Sequence, residues 1–340
     1  MLASMALWDL LADLSLRVDD YAVQRRELPV RRGFTRVTTT VVLQGGGESG
    51  HGEDVTYTAE DHADFPADEM VAGTWTLHEY SVRLDELELW RQEPGMAASH
   101  HYRRWAFESA GLDLALRQSG RSLADQLGRV SRPVRFVTST RTQFDRWREL
   151  YPELEFKLDV EASWDRELME RLARTDRVRV LDLKAYYRGT SVDLAPNAEL
   201  YRTVADVFPD AVLEDPWLED GCREALAGAE ERLSFDAPIH SLDDLDSLPL
   251  EPRWMNIKPS RFGTVRRLVE FIEACENRGI RMYGGGQFEL GPGRRQIQRV
   301  AGVFYPDGPN DVAPSEYNEG GPRPGLPTSP LLPPARPGLS

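Results

Sequence analysis

Lysine is nearly absent from this chain. Only three of its 41 basic residues are lysine, namely Lys157, Lys184 and Lys258. Arginine keeps its charge at any working pH, whereas a buried lysine can release its proton and act as a base. A lysine retained against such a background points to a place where a primary amine is needed. Cysteine is equally scarce: Cys222 and Cys275 stand alone, which excludes a disulfide framework or cysteine-ligated zinc site and points to a reducing compartment. No apolar run reaches the roughly eighteen residues of a membrane-spanning helix. The first residues are apolar in places but broken by Asp9, Asp13 and Arg17. With no basic leader or small-residue cleavage site, residues 1–20 read as a helix or an upstream extension, not a signal peptide, and the expected location is cytoplasmic. Positive charge is also outweighed. A formal net charge of −15 disfavours nucleic acid and anionic membranes as partners.

Across 340 residues, 41% are hydrophobic and 29% charged, which suits one large globular domain or two. Residues 36–43 form a β-branched run ending in the glycines of 45–47, and residues 50–57 would return beside it. From 105 to 127 the apolar spacing is helical, interrupted near Gly120. After Arg132 the texture changes. Short β-prone runs at 134–138, 154–160, 178–183, 211–213, 233–235, 254–257, 280–283 and 303–305 are mostly separated by helical stretches such as 164–174, 198–208 and 265–277. Eight strands alternating with helices predict an α/β fold, a (β/α) barrel of the TIM type. The expected organisation is an α+β N-terminal capping domain over 1–128 and the barrel over 129–318. A Pro/Gly-rich tail over 319–340 is expected to be disordered or loosely packed.

The strand ends carry the chemistry. Strand two ends in Lys157-Leu158-Asp159, strand three in Asp182-Leu183-Lys184, strand four in Glu214-Asp215-Pro216, strand five in Asp236-Ala237-Pro238 and strand six in Lys258-Pro259. In a parallel barrel these positions converge at the carboxyl-end mouth, where barrel enzymes keep their active sites. Charges buried there must pair or bind metal. Asp182, Glu214 and Asp236 offer three carboxylates from three neighbouring strands, an oxygen-only set suited to Mg²⁺. All three lysines fall on the same ring. For any single one of these acids the competing reading is a helix N-cap after the strand.

With those residues in view, the chain resembles the enolase superfamily, most closely its muconate-lactonizing (muconate cycloisomerase-like) subgroup, over residues 20 to 318. The Gly50-His51-Gly52-Glu53 segment is similar to part of that family's capping domain. The resemblance implies a modified, enolase-like barrel beneath the cap, Asp182, Glu214 and Asp236 as metal ligands, and Lys258 as the base that removes a proton α to a substrate carboxylate. It implies Mg²⁺, with Mn²⁺ as a substitute, a small-molecule carboxylate substrate and a homo-oligomer as one option. Lys157 would assist the substrate carboxylate electrostatically. The chain also departs from the pattern. Where the subgroup has a second lysine on strand two this chain has Asp159, where it has Asn on strand three this chain has Lys184, and Ala237 replaces the usual Glu after Asp236. The first two changes look reciprocal: either Lys184 takes over the second acid/base position, or it forms a structural ion pair with Asp159. The outcome could be cycloisomerisation, racemisation or epimerisation, dehydration of the o-succinylbenzoate synthase type, or metal binding without turnover. The cap-domain loops at 29–34 and 61–67 are expected to choose among substrates.

Overall fold

The computed structural model describes residues 5–31, 34–63, 65–66, 71–140, 143–190 and 193–340. The substrate loops expected at 29–34 and 61–67 therefore lie partly outside the described residues. In the N-terminal region β1 (Ser15–Val18) pairs antiparallel with β5 (Gly73–Thr76), and β2 (Asp20–Arg31), β3 (Phe34–Gly45) and β4 (Glu48–Asp54) form an antiparallel meander. The sequence reading had the last two strands of the meander and missed β2, whose charged run around Arg25, Arg26 and Glu27 is exposed. β3 is buried on both faces for most of its length, so it lacks the alternation of a half-exposed strand.

The long helix Ser99–Gln118 packs along β3 and β4. The Gly50-His51-Gly52 pattern explains how it approaches so closely. A Cβ at Gly52 would overlap the carbonyl of Ala106 and crowd Ser109 Oγ, and one at Gly50 would overlap the Ala110 carbonyl. Only glycine lets strand backbone lie against helix backbone here. Gly52→Ala is accordingly expected to destabilise the protein by about 3 kcal/mol, the upper range of overpacking costs, measured as a lower urea midpoint at unchanged slope. A variant within a few tenths of wild type would contradict this packing argument.

The C-terminal region is built on a seven-stranded parallel sheet in sequential order: β6 (Val137–Ser139), β7 (Glu155–Asp159), β8 (Val178–Asp182), β9 (Val212–Glu214), β10 (Leu233–Phe235), β11 (Trp254–Ile257) and β12 (Arg281–Gly284). Helices such as Arg166–Ala173, Ala198–Val207 and Val265–Arg278 connect them. The eighth strand expected at 303–305 is not a strand. It is the end of the helix Pro292–Phe304, whose buried Ile297, Val300 and Ala301 recur at helical spacing. A three-residue apolar run cannot be told apart by periodicity, and the longer helical pattern prevails.

Two residues take the place of that strand. Asn310 bridges to Phe136 beside β6, and Asp311 bridges to Gly285 beside β12. The fully buried Asn310 accepts from Gly284 N (2.7 Å) and donates to the Arg135 carbonyl (2.9 Å), joining the two edges of the sheet. The tail is anchored where a loose one was expected. Leu331 bridges to Val134, Leu339 is buried, and the amides of Leu339 and Ser340 donate to Asp113 Oδ1 at 2.6 and 3.0 Å. The residues between these anchors are largely exposed, as Pro/Gly-rich composition implies. Among the described residues no helix is long and apolar enough to cross a membrane.

Candidate active site at the barrel mouth

The parallel register places the strand ends side by side. Asp159 is paired with Asp182, and Asp182 with Glu214, in adjacent strands. None of the strand-end acids caps the following helix: Asn197, Gly221, Ser241 and Thr264 hold those N-cap positions after β8, β9, β10 and β11. That removes the alternative reading of Asp182, Glu214 and Asp236 as capping residues. All six residues singled out in the sequence lie at one end of the barrel, around or directly beneath a cavity of about 370 Å³. Lys157, Lys184 and Lys258 line it, together with Tyr57 and Phe288.

The acids are buried and engaged by cations. Lys157 contacts Glu214 Oε1 and lies 3.2 Å from Asp182 Oδ2. Lys184 Nζ is 2.5 Å from Asp182 Oδ2 and 3.2 Å from Asp159 Oδ1. Lys258 Nζ is 2.7 Å from Asp236 Oδ2. Strand alternation would have put Asp182 and Lys184 on one face, but β8 stops at Asp182 and Lys184 has a left-handed backbone, φ 52°. The turn, not the pleat, brings its amine back over Asp182.

Four further residues complete the site, and sequence reading missed their roles. Arg261, one turn beyond Lys258, reaches the Asp236 carbonyl and lies 3.0 Å from its Oδ1. Tyr283 and Asn256, the latter at 3.0 Å, both donate to Glu214 Oε2. Asp215 accepts from the amides of Asp236 (2.8 Å) and Ala237 (3.0 Å). Asp215 stands directly after β9 with a left-handed backbone, φ 53°. Gly285 keeps the mouth open, because a Cβ there would lie 2.5 Å from Asn256 Oδ1 and 2.9 Å from Lys258 Cε.

Electrostatics divide the acids into two kinds. Burial pushes Glu214 up to about 8, reinforced by Asp182 and Asp236 against the pull of Lys157. Burial likewise lifts Asp215 to about 7, helped by Asp236 and Asp182. At Asp182 burial is overcome by Lys184 and Lys157, which hold it below the carboxylate range, and at Asp236 by Arg261 and Lys258. Burial lowers Lys258, and Arg261 and Lys157 add to this against Asp236. Lys157 moves the other way: Glu214 and Asp182 outweigh its burial and keep it protonated.

The donor set fits a hard divalent cation. Asp182, Glu214 and Asp215 each offer an oxygen within 4.8 Å of the others. Asp236 Oδ1 is buried and accepts no hydrogen bond among the described residues, its one neighbour of opposite charge there being the ion-paired Arg261 at 3.0 Å. Because both oxygens of Asp215 already accept backbone amides, it suits positioning of Asp236 better than direct ligation. A carboxylate cluster with two members pushed towards neutral is what an added positive charge relieves.

A parallel barrel sheet under an antiparallel cap, with acids on successive strand ends, is the architecture of the enolase superfamily, and the chain has that fold. Muconate lactonizing enzyme from Pseudomonas putida superposes with a TM-score of 0.68 at 17% identity, covering 95% of this chain and 96% of that one. A dipeptide epimerase from Methylococcus capsulatus, solved with a Mg ion, gives 0.69 at 16% identity over 95% and 99%. Muconate cycloisomerase from Pseudomonas fluorescens gives 0.66 at 14% over 89% and 88%. No curated protein matches the sequence. The chain belongs to the family described as domain of unknown function DUF8230, whose N-terminal domain matches residues 9–126 and whose C-terminal domain matches residues 130–319.

Proposed function

We propose that the protein is a Mg²⁺-dependent enzyme that removes the proton α to a substrate carboxylate, as a cycloisomerase or a racemase/epimerase. The observation that carries this reading is the convergence of all three lysines with Asp182, Glu214 and Asp236 at one barrel mouth. Asp182, Glu214 and Asp236 would hold the ion, and Asp215 would fix Asp236. When bound, the ion supplies electrophilic stabilisation for negative charge developing on the substrate carboxylate. Lys258 takes the proton from the α-carbon. Its burial and the fixed charge of Arg261 favour the neutral amine this step needs. Lys157, held protonated between Asp182 and Glu214, adds positive potential where the carboxylate docks. Tyr57 and Phe288 wall the cavity and limit water.

Lys184 decides between outcomes. It leaves the chain three strands from Lys258, so a neutral Lys184 would address the opposite face of a planar intermediate and permit epimerisation. Its ion pairs to Asp182 and Asp159 favour the alternative, a one-base cycloisomerisation or an o-succinylbenzoate synthase-type dehydration. If Lys258 too were silent, the protein would be a metal-binding member without turnover. Names among the structural neighbours, muconate lactonizing enzyme and dipeptide epimerase, support the first two chemistries.

The test is proton exchange followed by NMR in D₂O, with Mg²⁺, across dipeptides, N-succinyl amino acids, muconate-like acids and succinylbenzoate-like acids. Deuterium is expected at an α-position of one class and is expected to vanish with EDTA. With Lys184→Met, loss of exchange from only one configuration of a chiral acid would assign it as the second base, and unchanged turnover would assign it to structure. Exchange that survives EDTA would refute the metal-dependent reading. Tight Mg²⁺ binding without exchange in any class would favour the non-catalytic one.

A further inference from the structure

A second cavity of about 490 Å³ lies away from the mouth, between the long cap helix, the helix Pro292–Phe304 and the C-terminal tail. Its charge is opposite to that of the molecule. The chain carries 56 acidic residues against 41 basic ones, yet the lining holds Arg117, Arg132, Arg295, Arg299 and Arg336, and no Asp or Glu. Two of these arginines have nothing to hold. Arg295 and Arg336 are exposed and make no side-chain hydrogen bond or ion pair among the described residues.

Arg299 is 8% exposed and, among the described residues, no Asp or Glu side chain forms an ion pair with it. It donates to the carbonyls of Arg336 (2.8 Å) and Gly338 (3.1 Å) and to the Ser340 oxygen (3.4 Å), and its Nε is buried with no acceptor. Burial lowers it against the pull of Asp113, with help from Arg117 and Arg295. Asp113, the acid that acts on it, is already engaged. It takes the amides of Leu339 and Ser340, pairs with Arg117 Nε at 3.1 Å, and accepts from His51 N at 2.9 Å. Arg132 is paired outward with Asp307.

A buried guanidinium with no Asp or Glu side chain of its own, in one lining with two unpaired ones, is costly unless an anion joins them. We propose that this cavity binds a small organic molecule carrying two or more anionic groups. Guanidinium forks match phosphate and carboxylate oxygens bidentately. Because arginines line it from the Pro292–Phe304 helix, the cap helix and the tail, one charge cannot satisfy them all. Val134, Leu331 and Leu332 provide an apolar wall for the rest of the molecule. The site is separate from the mouth: on the Pro292–Phe304 helix Arg294 lines the mouth and pairs with Glu289, while the adjacent Arg295 lines this cavity.

The test uses the full chain in EDTA, so that no metal at the mouth recruits the probe. Pyrophosphate, citrate and inorganic phosphate are titrated calorimetrically. Pyrophosphate or citrate is expected to bind below about 1 mM and more tightly than inorganic phosphate, with affinity falling about tenfold or more in the double variant R295Q/R336Q. These two side chains hold nothing, so the variant's melting temperature without probe should match wild type. Tighter pyrophosphate than citrate assigns a phosphorylated ligand, and the reverse assigns a polycarboxylate. Absence of binding by both, or equal affinity in the double variant, overturns the proposal. Binding lost instead in K157M would place the probe at the mouth and overturn it equally.

Discussion

Replacing Lys258 by alanine is expected to reduce α-proton exchange by about 10³-fold or more, within the range lost with a positioned general base, while Mg²⁺ binding and folding persist. The expectation follows from what surrounds the amine. Lys258 lines the cavity at the end of β11 and is the lysine of the three that burial pushes down. Its removal does not strand Asp236, because Arg261 remains 3.0 Å from Asp236 Oδ1 and also holds the Asp236 carbonyl. A loss of activity therefore would not come from a collapsed ligand set. Lys258→Arg separates the base from the charge. It keeps a cation beside Asp236 but cannot deprotonate at working pH, so it is expected to be as inactive as the alanine variant. Exchange retained in the arginine variant would show that Lys258 acts only as a counter-ion. In that case the proton would have to go to Lys184, or the reading of the site would fail.

Much of this site was legible in the sequence because it is periodic. Lysines rare enough to count, set among strand-end charges that recur about once per β-α unit, mark a barrel mouth without reference to any contact. The acids recur in the same way, and the structure puts Asp182 and Glu214 at the ends of β8 and β9 and Asp236 directly after β10. What escaped was set by long-range contacts. Tyr283 reaches Glu214 across 69 positions of chain, and Asn256 does so across 42. Arg261 looked like one arginine among many until the turn after Lys258 aimed it at Asp236. The closing of the barrel escaped for another reason. Asn310 and Asp311 do the work of a strand with two residues, through main-chain bridges and the Asn310 amide, which carry no hydrophobic pattern. The false strand at 303–305 shows the opposite error, in which a short apolar run imitates one period while its neighbours impose another.

The largest stability effect is expected at Arg36, which lies in the cap and ties it to the mouth. Arg36 is fully buried and donates to four main-chain carbonyls: Val55 and Thr56 at 2.7 Å, Gln287 at 2.9 Å and Phe288 at 3.1 Å. The first two follow β4 in the cap, and the other two belong to the loop after β12. Its guanidinium also stacks over Tyr57, 4.4 Å from the ring centre, while the Tyr57 hydroxyl donates to Gln287 Oε1 at 3.0 Å. One planar fork thus holds two segments that both wall the cavity. It also holds Phe288 in a left-handed conformation, φ 59°, that a bulky residue rarely adopts. Arg36→Met keeps most of the volume but leaves the carbonyls of Val55, Gln287 and Phe288 without this donor, while the Thr56 carbonyl keeps His62 Nε2 at 2.9 Å. At about 1 to 3 kcal/mol for each unsatisfied group, less what relaxation recovers, the expected loss is about 4 kcal/mol. Arg36→Lys is expected to recover only part of it, since an ammonium has three donors and no fixed plane. The readouts are the urea midpoint and amide exchange of Gln287 and Phe288, which should lose protection before the barrel strands do. A variant within about 1 kcal/mol of wild type, with those amides still protected, would show that the Phe288 turn is held by Glu53 alone. The Glu53 carboxylate is the other cap group on this segment, accepting from the amides of Leu290 (2.7 Å), Gly291 (2.9 Å) and Gly293 (2.9 Å).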